Sequence, residues 1–302
     1  MTCVYLGTSE FAAAVLRRLA AGEDRPALVV TPPDRRRGRG RRLAPPPAAS
    51  TATELGIELL QTENVNDPAA LERLLAAAPE VGVVCAFGQL IREPLLSELE
   101  LLNVHPSLLP RWRGAAPIER AIAAGDRETG VTIMRVDAGL DSGPVALQES
   151  VAIGDDDYGA LAGRLEELSG RLIVRALGLR RRGALELTAQ DESQATYAEK
   201  IAPAERRLDP ARGATELARM VRALTPHIGA YLELARGGRL GVRRARAEPG
   251  SALGVGEVEG AGGLRVGCAD GALRLEVVQP PGGRPMDALD YLRGHPAPQL
   301  EA

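Results

Sequence analysis

The chain has 302 residues, is 45% hydrophobic and 25% charged, and carries a formal net charge of −3 at pH 7. That length bounds it to one large domain or two smaller ones with a sizeable core, and the charge excludes nucleic-acid binding through global basicity, so any basic surface has to be local. Aromatics at 3% require an aliphatic core, and Cys3, Cys85 and Cys268, scattered and without CxxC spacing, exclude a disulfide framework and a zinc site.

The opening MTCVYLGTSEF has no basic stretch followed by an apolar one, so a signal peptide is not expected. Apolar runs such as VGVVCAF are far too short to cross a bilayer. A cytoplasmic protein without membrane contact is expected.

In chain order, CVYLG at 3–7 reads as a short buried strand. Ser9 then caps a helix that sets Phe11, Val15, Leu16 and Leu19 on one face. ALVVT (27–31), GIELLQ (56–61) and VGVVCAF (81–87) read as strands, with AALERLLAAA (69–78) a helix between the last two. Strands alternating with helices of this length predict a parallel α/β sheet. LLNVH (101–105), VTIMRV (131–136) and PVALQESVAI (144–153) follow as strands, and Tyr158 to Leu179 as a long closing helix.

Beyond Leu187 the texture changes. AQDESQATYAEKIAPAERRLDP is polar and turn-rich, the pattern of a linker over the surface. After a helix at 214–224, AYLELA, LGVRRARA, GEVEG, LRVGC and ALRLEVVQ form short β runs between glycines, which suggests a small barrel. MDALDYLRG at 286–294 reads as a last helix. The expected division is therefore a first domain at 1–188, a linker at 189–206 and a second domain at 207–302.

Chemistry concentrates at two places. In LLNVHPSLLP, Asn103 and His105 point to the same side of a strand, because side-chain direction repeats every two residues. Pro106 ends the ladder, which puts both near a strand's C-terminal end, where open α/β sheets bind ligands. A satisfied core histidine and a turn asparagine fit the same residues. In VTIMRVDAGLDSGP, Asp137 and Asp141 lie on a glycine-rich loop, where carboxylates often only form turns. If that strand lies beside 101–105, a carboxylate joins Asn and His as oxyanion donor, acid/base and orienter. Ser107 and Ser142 lack a nucleophile elbow, Cys85 lies in an apolar strand, and no histidine pair has metal-ligand spacing. Group transfer or hydrolysis without metal or covalent enzyme intermediate is the reaction class left.

NVHPSLLPRWRGAAPIERAI and GDRETGVTIMRVDAGLDSGPV together resemble the folate-dependent formyltransferases. PRWRGAAPI resembles the longer two-domain members and TPPDRRRGRG the methionyl-tRNA formyltransferase family, and the likeness extends through YLGTSEFAAAVL, CAFGQLI, TYAEKI and RALTPHIGAYLEL. The resemblance implies an α/β fold, a Rossmann-like formyltransferase domain followed by a small OB-like β-barrel domain. It implies transfer of formyl from 10-formyltetrahydrofolate to the α-amine of initiator methionyl-tRNA by a monomer without metal, leaving tetrahydrofolate. Its catalytic residues fall on Asn103, His105 and Asp141, rather than Asp137. Its folate site falls on Phe87, Gly88, Gln89, Leu90 and Ile91 and on Ser107, Leu108, Leu109 and Pro110.

The run at 34–47 places Arg35, Arg36, Arg37, Arg39, Arg41 and Arg42 on one loop. Alone it reads as a solvated charge run; within the family it is expected to grip tRNA phosphates. Two rival functions share parts of the pattern. A formyltransferase of an amino sugar nucleotide shares the catalytic signature but has no need of the arginine loop. A non-catalytic RNA-binding protein has no need of the Asn-His-Asp set. The sequence departs from the family at Thr225-Pro226-His227-Ile228, where Asn-Pro-Trp-Pro is usual, so the stacking of that tryptophan is expected to be lost.

Overall fold

The computed structural model describes residues 1–37 and 42–301. Arg39 and Arg41 of the arginine loop lie outside the described residues. The strands and helices in chain order are β1 (Cys3–Gly7), α1 (Glu10–Ala20), β2 (Leu28–Thr31), β3 (Arg35–Arg37), β4 (Arg42–Ala44), α2 (Pro47–Glu54), β5 (Glu58–Gln61), α3 (Pro68–Leu75), β6 (Val81–Cys85) and α4 (Leu95–Glu98). Then come β7 (Leu101–His105), β8 (Arg113–Gly114), α5 (Pro117–Ala124), β9 (Glu128–Arg135), β10 (Val145–Ala152), α6 (Tyr158–Arg181), β11 (Tyr197–Ala198) and α7 (Ala214–Leu224). The C-terminal elements are β12 (Ala230–Glu233), β13 (Arg239–Pro249), β14 (Val258–Glu259), β15 (Leu264–Cys268), β16 (Gly271–Gln279), β17 (Met286–Asp287) and α8 (Ala288–Gly294).

Seven strands form one sheet in the order β10-β9-β7-β6-β1-β2-β5. The pairs from β7 through β6, β1 and β2 to β5 are parallel, as alternating strands and helices predict. β1, β2 and β6 are buried at every position, so they read as continuous apolar runs rather than alternating ones. β9 departs from the parallel expectation: it runs antiparallel to β7, pairing His105 with Thr132 and Leu102 with Arg135. Ser9 caps α1 by accepting from the Ala12 amide, a bond worth about 1 kcal/mol. Phe11, Val15, Leu16 and Leu19 are all buried, at about 1.5–3 kcal/mol per side chain as an upper figure. The arginine run forms a short antiparallel pair, with Arg35 opposite Ala44 and Arg36 opposite Leu43.

The C-terminal sheet has six strands, ordered β12-β13-β16-β15-β14 with β17 on β16. Its pairs are antiparallel. α7 supplies Leu217, Val221 and Leu224 to a core shared with Leu240, Val242, Val266, Leu273 and Leu275. α7 also packs on α5.

The chain forms two compact units. One comprises Met1–Gly114, Thr129–Val151 and Ala162–Tyr197; the other comprises Ala115–Glu128, Ala152–Leu161 and the chain from Ala198 on. In the second unit His227 stacks on Tyr158 with ring centroids 3.6 Å apart, and its Nε2 lies 3.0 Å from Glu119 Oε1. The aromatic stack in the altered segment is therefore made by the imidazole of His227 and not by a tryptophan. No helix among the described residues is long and apolar enough to cross a membrane.

Candidate active site

β7 is buried at Leu101, Leu102, Val104 and His105, while Asn103 is half-buried. Asn103 and His105 alternate along it and meet one carboxylate. Asn103 Nδ2 donates to Asp141 Oδ1 at 3.2 Å, and His105 Nδ1 lies 3.6 Å from Asp141 Oδ2. The Gly114 amide also donates to Asp141 Oδ2, at 2.8 Å. On its other edge, His105 Nε2 lies 2.8 Å from the Trp112 carbonyl oxygen. A carbonyl only accepts, so Nε2 carries the hydrogen and Nδ1 is the nitrogen turned to Asp141.

Because β9 is antiparallel, Asp141 arrives by an excursion that leaves β9 beside Leu102 and folds back along β7. The excursion closes where the Arg135 amide donates to Pro144 O at 2.9 Å. Gly143 sits in that closure: a Cβ there falls 1.9 Å from Arg135 O, so no larger residue fits. Asp141 has φ 49 and Trp112 φ 64, left-handed conformations that disfavour side chains. Both residues contact His105, so the less favourable backbone lies where the site needs it. Asp137 is engaged elsewhere. Its Oδ1 accepts from Gly139 N at 3.0 Å and Ser142 Oγ at 2.9 Å, a turn closed on itself.

The residues placed in the folate wall divide by role. Thr8 Oγ1 donates to Phe87 O at 2.6 Å and so fixes the loop after β6. Phe87 and Ile91 are buried, and Leu90 is 59% exposed. Gln89 commits its side chain to the fold, accepting from Val65 N and donating to Thr62 O, each at 2.8 Å. Gly88 is exposed. In the loop after β7, Ser107 is buried and donates to Arg111 O at 2.6 Å. The Leu109 amide donates to Thr132 Oγ1 at 3.1 Å, and Gln148 Nε2 donates to Leu109 O at 2.9 Å. Leu108 and Pro110 are half-buried. Loops after β1, β6 and β7 thus share one edge of parallel strands. Arg35, Arg36 and Arg42 are exposed at the hairpin after β2, and Arg35 lies 3.5 Å from Glu63.

Arg113 and Gln190 carry no sequence signal of their own. Arg113 is buried, yet it reaches Glu192 at 2.7 and 2.9 Å and Gln190 Oε1 at 2.8 and 3.1 Å. Its hydrogen bonds hold the Glu192 carboxyl below the usual range. The segment expected as a surface linker therefore turns side chains toward the site. Burial pushes the Cys85 thiol up to about 12, which keeps it protonated and removes it as a nucleophile. Among the described residues no group of three or more His, Cys, Asp or Glu could hold a metal.

An open sheet with an amide, an imidazole and a carboxylate converging on one strand fits an acyl-transfer site, and the comparisons give the class. Residues 1–177 match the formyl transferase family model, and residues 200–296 match the model of the formyl transferase C-terminal domain. Methionyl-tRNA formyltransferase of Methylococcus capsulatus is 44% identical, over 98% of this chain and 97% of the relative. The Parvibaculum lavamentivorans enzyme of the same name is 41% identical, over 97% of each chain. This chain belongs to the methionyl-tRNA formyltransferase family. Two solved structures share the fold alone. HypX from Aquifex aeolicus in complex with tetrahydrofolic acid is 18% identical, with TM-score 0.64 over 97% of this chain and 47% of that one. An N-formyltransferase from Helicobacter canadensis, with folinic acid and dTDP-3-aminofucose, is 14% identical, with TM-score 0.67 over 91% of this chain and 99% of that one.

Proposed function

We propose that the protein transfers a formyl group from 10-formyltetrahydrofolate to the α-amine of initiator methionyl-tRNA, with Asn103, His105 and Asp141 as its catalytic residues. The observation that carries this reading is the single carboxylate of Asp141, which meets both Asn103 and His105. Kinship over nearly the whole chain with enzymes named for methionyl-tRNA supports the acceptor.

The folate supplies the acyl carbon and a leaving nitrogen. The acceptor α-amine attacks in its neutral form; α-amines titrate at about 7.7–8.0, so no strong base has to prepare it. Attack puts negative charge on the formyl oxygen. Asn103 gives one amide hydrogen to Asp141 and keeps a second, which is suited to that oxygen. Protonated at Nδ1, His105 offers another donor, while the Trp112 carbonyl fixes its ring through Nε2. Asp141, once ionised, only accepts, and it takes the proton that the attacking nitrogen sheds, directly or through water. The leaving nitrogen gains one proton as the amine loses one, so the products are a formamide and tetrahydrofolate.

The backbone of the loop at 86–91, with Leu90 exposed, and the loop at 106–110 form the proposed folate wall. The arginines of the run, Arg35, Arg36, Arg37 and Arg42 on the paired strands and Arg39 and Arg41 between them in the sequence, are proposed to take tRNA phosphates. Residues 1–188 are proposed to carry the chemistry and 207–302 to assist in holding tRNA. A labelled formyl donor offered with charged initiator tRNA or with an amino sugar nucleotide tests the reading. Transfer to tRNA is expected; transfer to the sugar nucleotide alone overturns it.

A further inference from the structure

We infer that Gln190 is a positioning residue for the proposed formyl transfer: its amide pins the Asp141 loop to the segment that orients His105. The inference rests on the functional reading above for its kinetic consequence and on geometry for the rest.

Gln190 Nε2 donates to Asp141 O at 2.8 Å and to Gly143 O at 2.7 Å. Its Oε1 accepts from Arg113 Nε at 3.1 Å and Nη2 at 2.8 Å. A primary amide has two donor hydrogens and two acceptor lone pairs, so every hydrogen-bonding position of this side chain is filled. The orientation is determined as well. A flipped amide sets its oxygen against two carbonyls and its NH2 against a guanidinium.

What these four bonds connect gives the residue its importance. Arg113 stands between Trp112, whose carbonyl meets His105 Nε2, and Gly114, whose amide donates to Asp141 Oδ2. Arg113 itself is 2% exposed and gripped by Glu192, whose side chain is 68% exposed. Trp112 and Gly114, which touch the proposed catalytic pair, are thus tied through the Arg113 between them and one amide side chain to the backbone that carries the carboxylate. Asp141 holds φ 49, a conformation the chain does not adopt without reason, and Gln190 takes the carbonyl of that same residue. Gln190 touches neither Asn103 nor His105, so it acts through Asp141 and Arg113.

Gln190→Glu is the diagnostic substitution. It keeps size and the acceptor toward Arg113, but it replaces the NH2 that faces two carbonyl oxygens with an oxygen. A reacting group displaced by an ångström can cost about 100-fold. The folded variant is expected to lose about 10–100-fold in kcat for formyl transfer to charged tRNA, with KM for both substrates within about threefold. Amide hydrogen exchange at Gly114 is expected to quicken by about tenfold, since its acceptor loosens. Gln190→Leu, which removes all four bonds, serves as the second variant and is expected to show the same split. Wild-type kcat in folded Gln190→Glu overturns the inference. So does a loss that disappears when rates are scaled to the folded fraction, or a rise in KM with kcat unchanged. A wild-type protein inactive toward tRNA overturns the functional reading instead. In that case accelerated exchange at Gly114 still supports the positioning role, and unchanged exchange removes it.

Discussion

His105 presents its Nε2 hydrogen to the Trp112 carbonyl oxygen at 2.8 Å, leaving Nδ1 turned toward Asp141. One contact settles the tautomer of the neutral ring and the edge it offers. Asn103, His105 and Asp141 are accordingly expected to act as a unit. Alanine at any one of them is predicted to cut turnover by at least about 100-fold, the scale of a lost transition-state donor, while folding survives. Effects within such a unit are not additive, so a double variant is expected to be little worse than the worse single one. Asp137→Asn is predicted to cost far less, because Asp137 closes only its own turn. Single-turnover rates with charged tRNA check this, and a larger loss at Asp137 than at Asp141 assigns the role to the wrong carboxylate.

The reach of the sequence is visible in these same residues. Alternation along LLNVH placed Asn103 and His105 on one side of a strand, and the structure places them so. Their meeting with Asp141 was open to the residues alone, since it depends on β9 pairing with β7. The antiparallel direction of β9 was not legible, because a buried apolar run looks alike in either sense. Gln190 and Arg113 were illegible for another reason. A polar residue in a turn-rich stretch and an arginine in a basic run are marked only by partners distant in sequence, such as Asp141 for Gln190.

Cysteine chemistry supplies a second prediction. Burial pushes Cys3 and Cys85 up to about 12 and Cys268 up to about 11. At neutral pH the thiolate fraction is then on the order of one in ten thousand or less, and all three are buried. An alkylating reagent is expected to leave the native enzyme active and unlabelled, and to label it once denatured. Rapid inactivation of folded protein, traced to one of these residues by mass spectrometry, contradicts this.

Acid sensitivity follows from two arginine–carboxylate pairs. Hydrogen bonds from Arg120 hold Glu205 below the ordinary value of 4.5, and those from Arg113 do the same for Glu192. A carboxyl whose folded pKa is depressed stabilises the fold fully above its unfolded pKa, and that contribution is lost as pH falls through the folded pKa. Stability is therefore expected to be level near neutrality and to decline below about pH 4.5. Glu205→Gln is predicted to lower the melting temperature at neutral pH and to shallow the decline on the acid side. Melting curves from neutral to about pH 3 test it; an identical slope in variant and wild type removes Glu205 from the account.

A fragment ending at residue 188 probes the division of the chain. α5 belongs to the second compact unit and packs on α7, which such a fragment lacks. Ala123 of α5, packed against the C-terminal core in the full chain, then loses that cover. The fragment is expected to bind a hydrophobic dye and to transfer formyl to tRNA poorly. Unchanged kcat/KM for charged tRNA in the fragment defeats the proposed role of the C-terminal part.

The arginine hairpin makes the last prediction. Arg35 and Arg36 sit exposed on a strand paired with 42–44, so the run has a defined backbone to present its charges. Arg35 has Glu63 at 3.5 Å, and both side chains are exposed, so that pair is weak and cedes readily to a phosphate. If the hairpin neutralises phosphates, log K for tRNA falls with log[salt] by a slope of about 0.7–0.9 per contact. Arg35→Ala with Arg36→Ala is predicted to lower tRNA affinity and flatten that slope by about one to two contacts. Lysine at both positions keeps the charge but loses the planar fork, so the slope is expected to persist while kcat/KM falls. Formyl transfer to a small amine acceptor, which has no phosphates to grip, is expected to be the same in all of them. Salt-dependent binding and transfer kinetics separate these outcomes. Unchanged affinity and slope in the double alanine variant make the hairpin a solvated charge run, and the case for tRNA over a sugar nucleotide then loses its structural support.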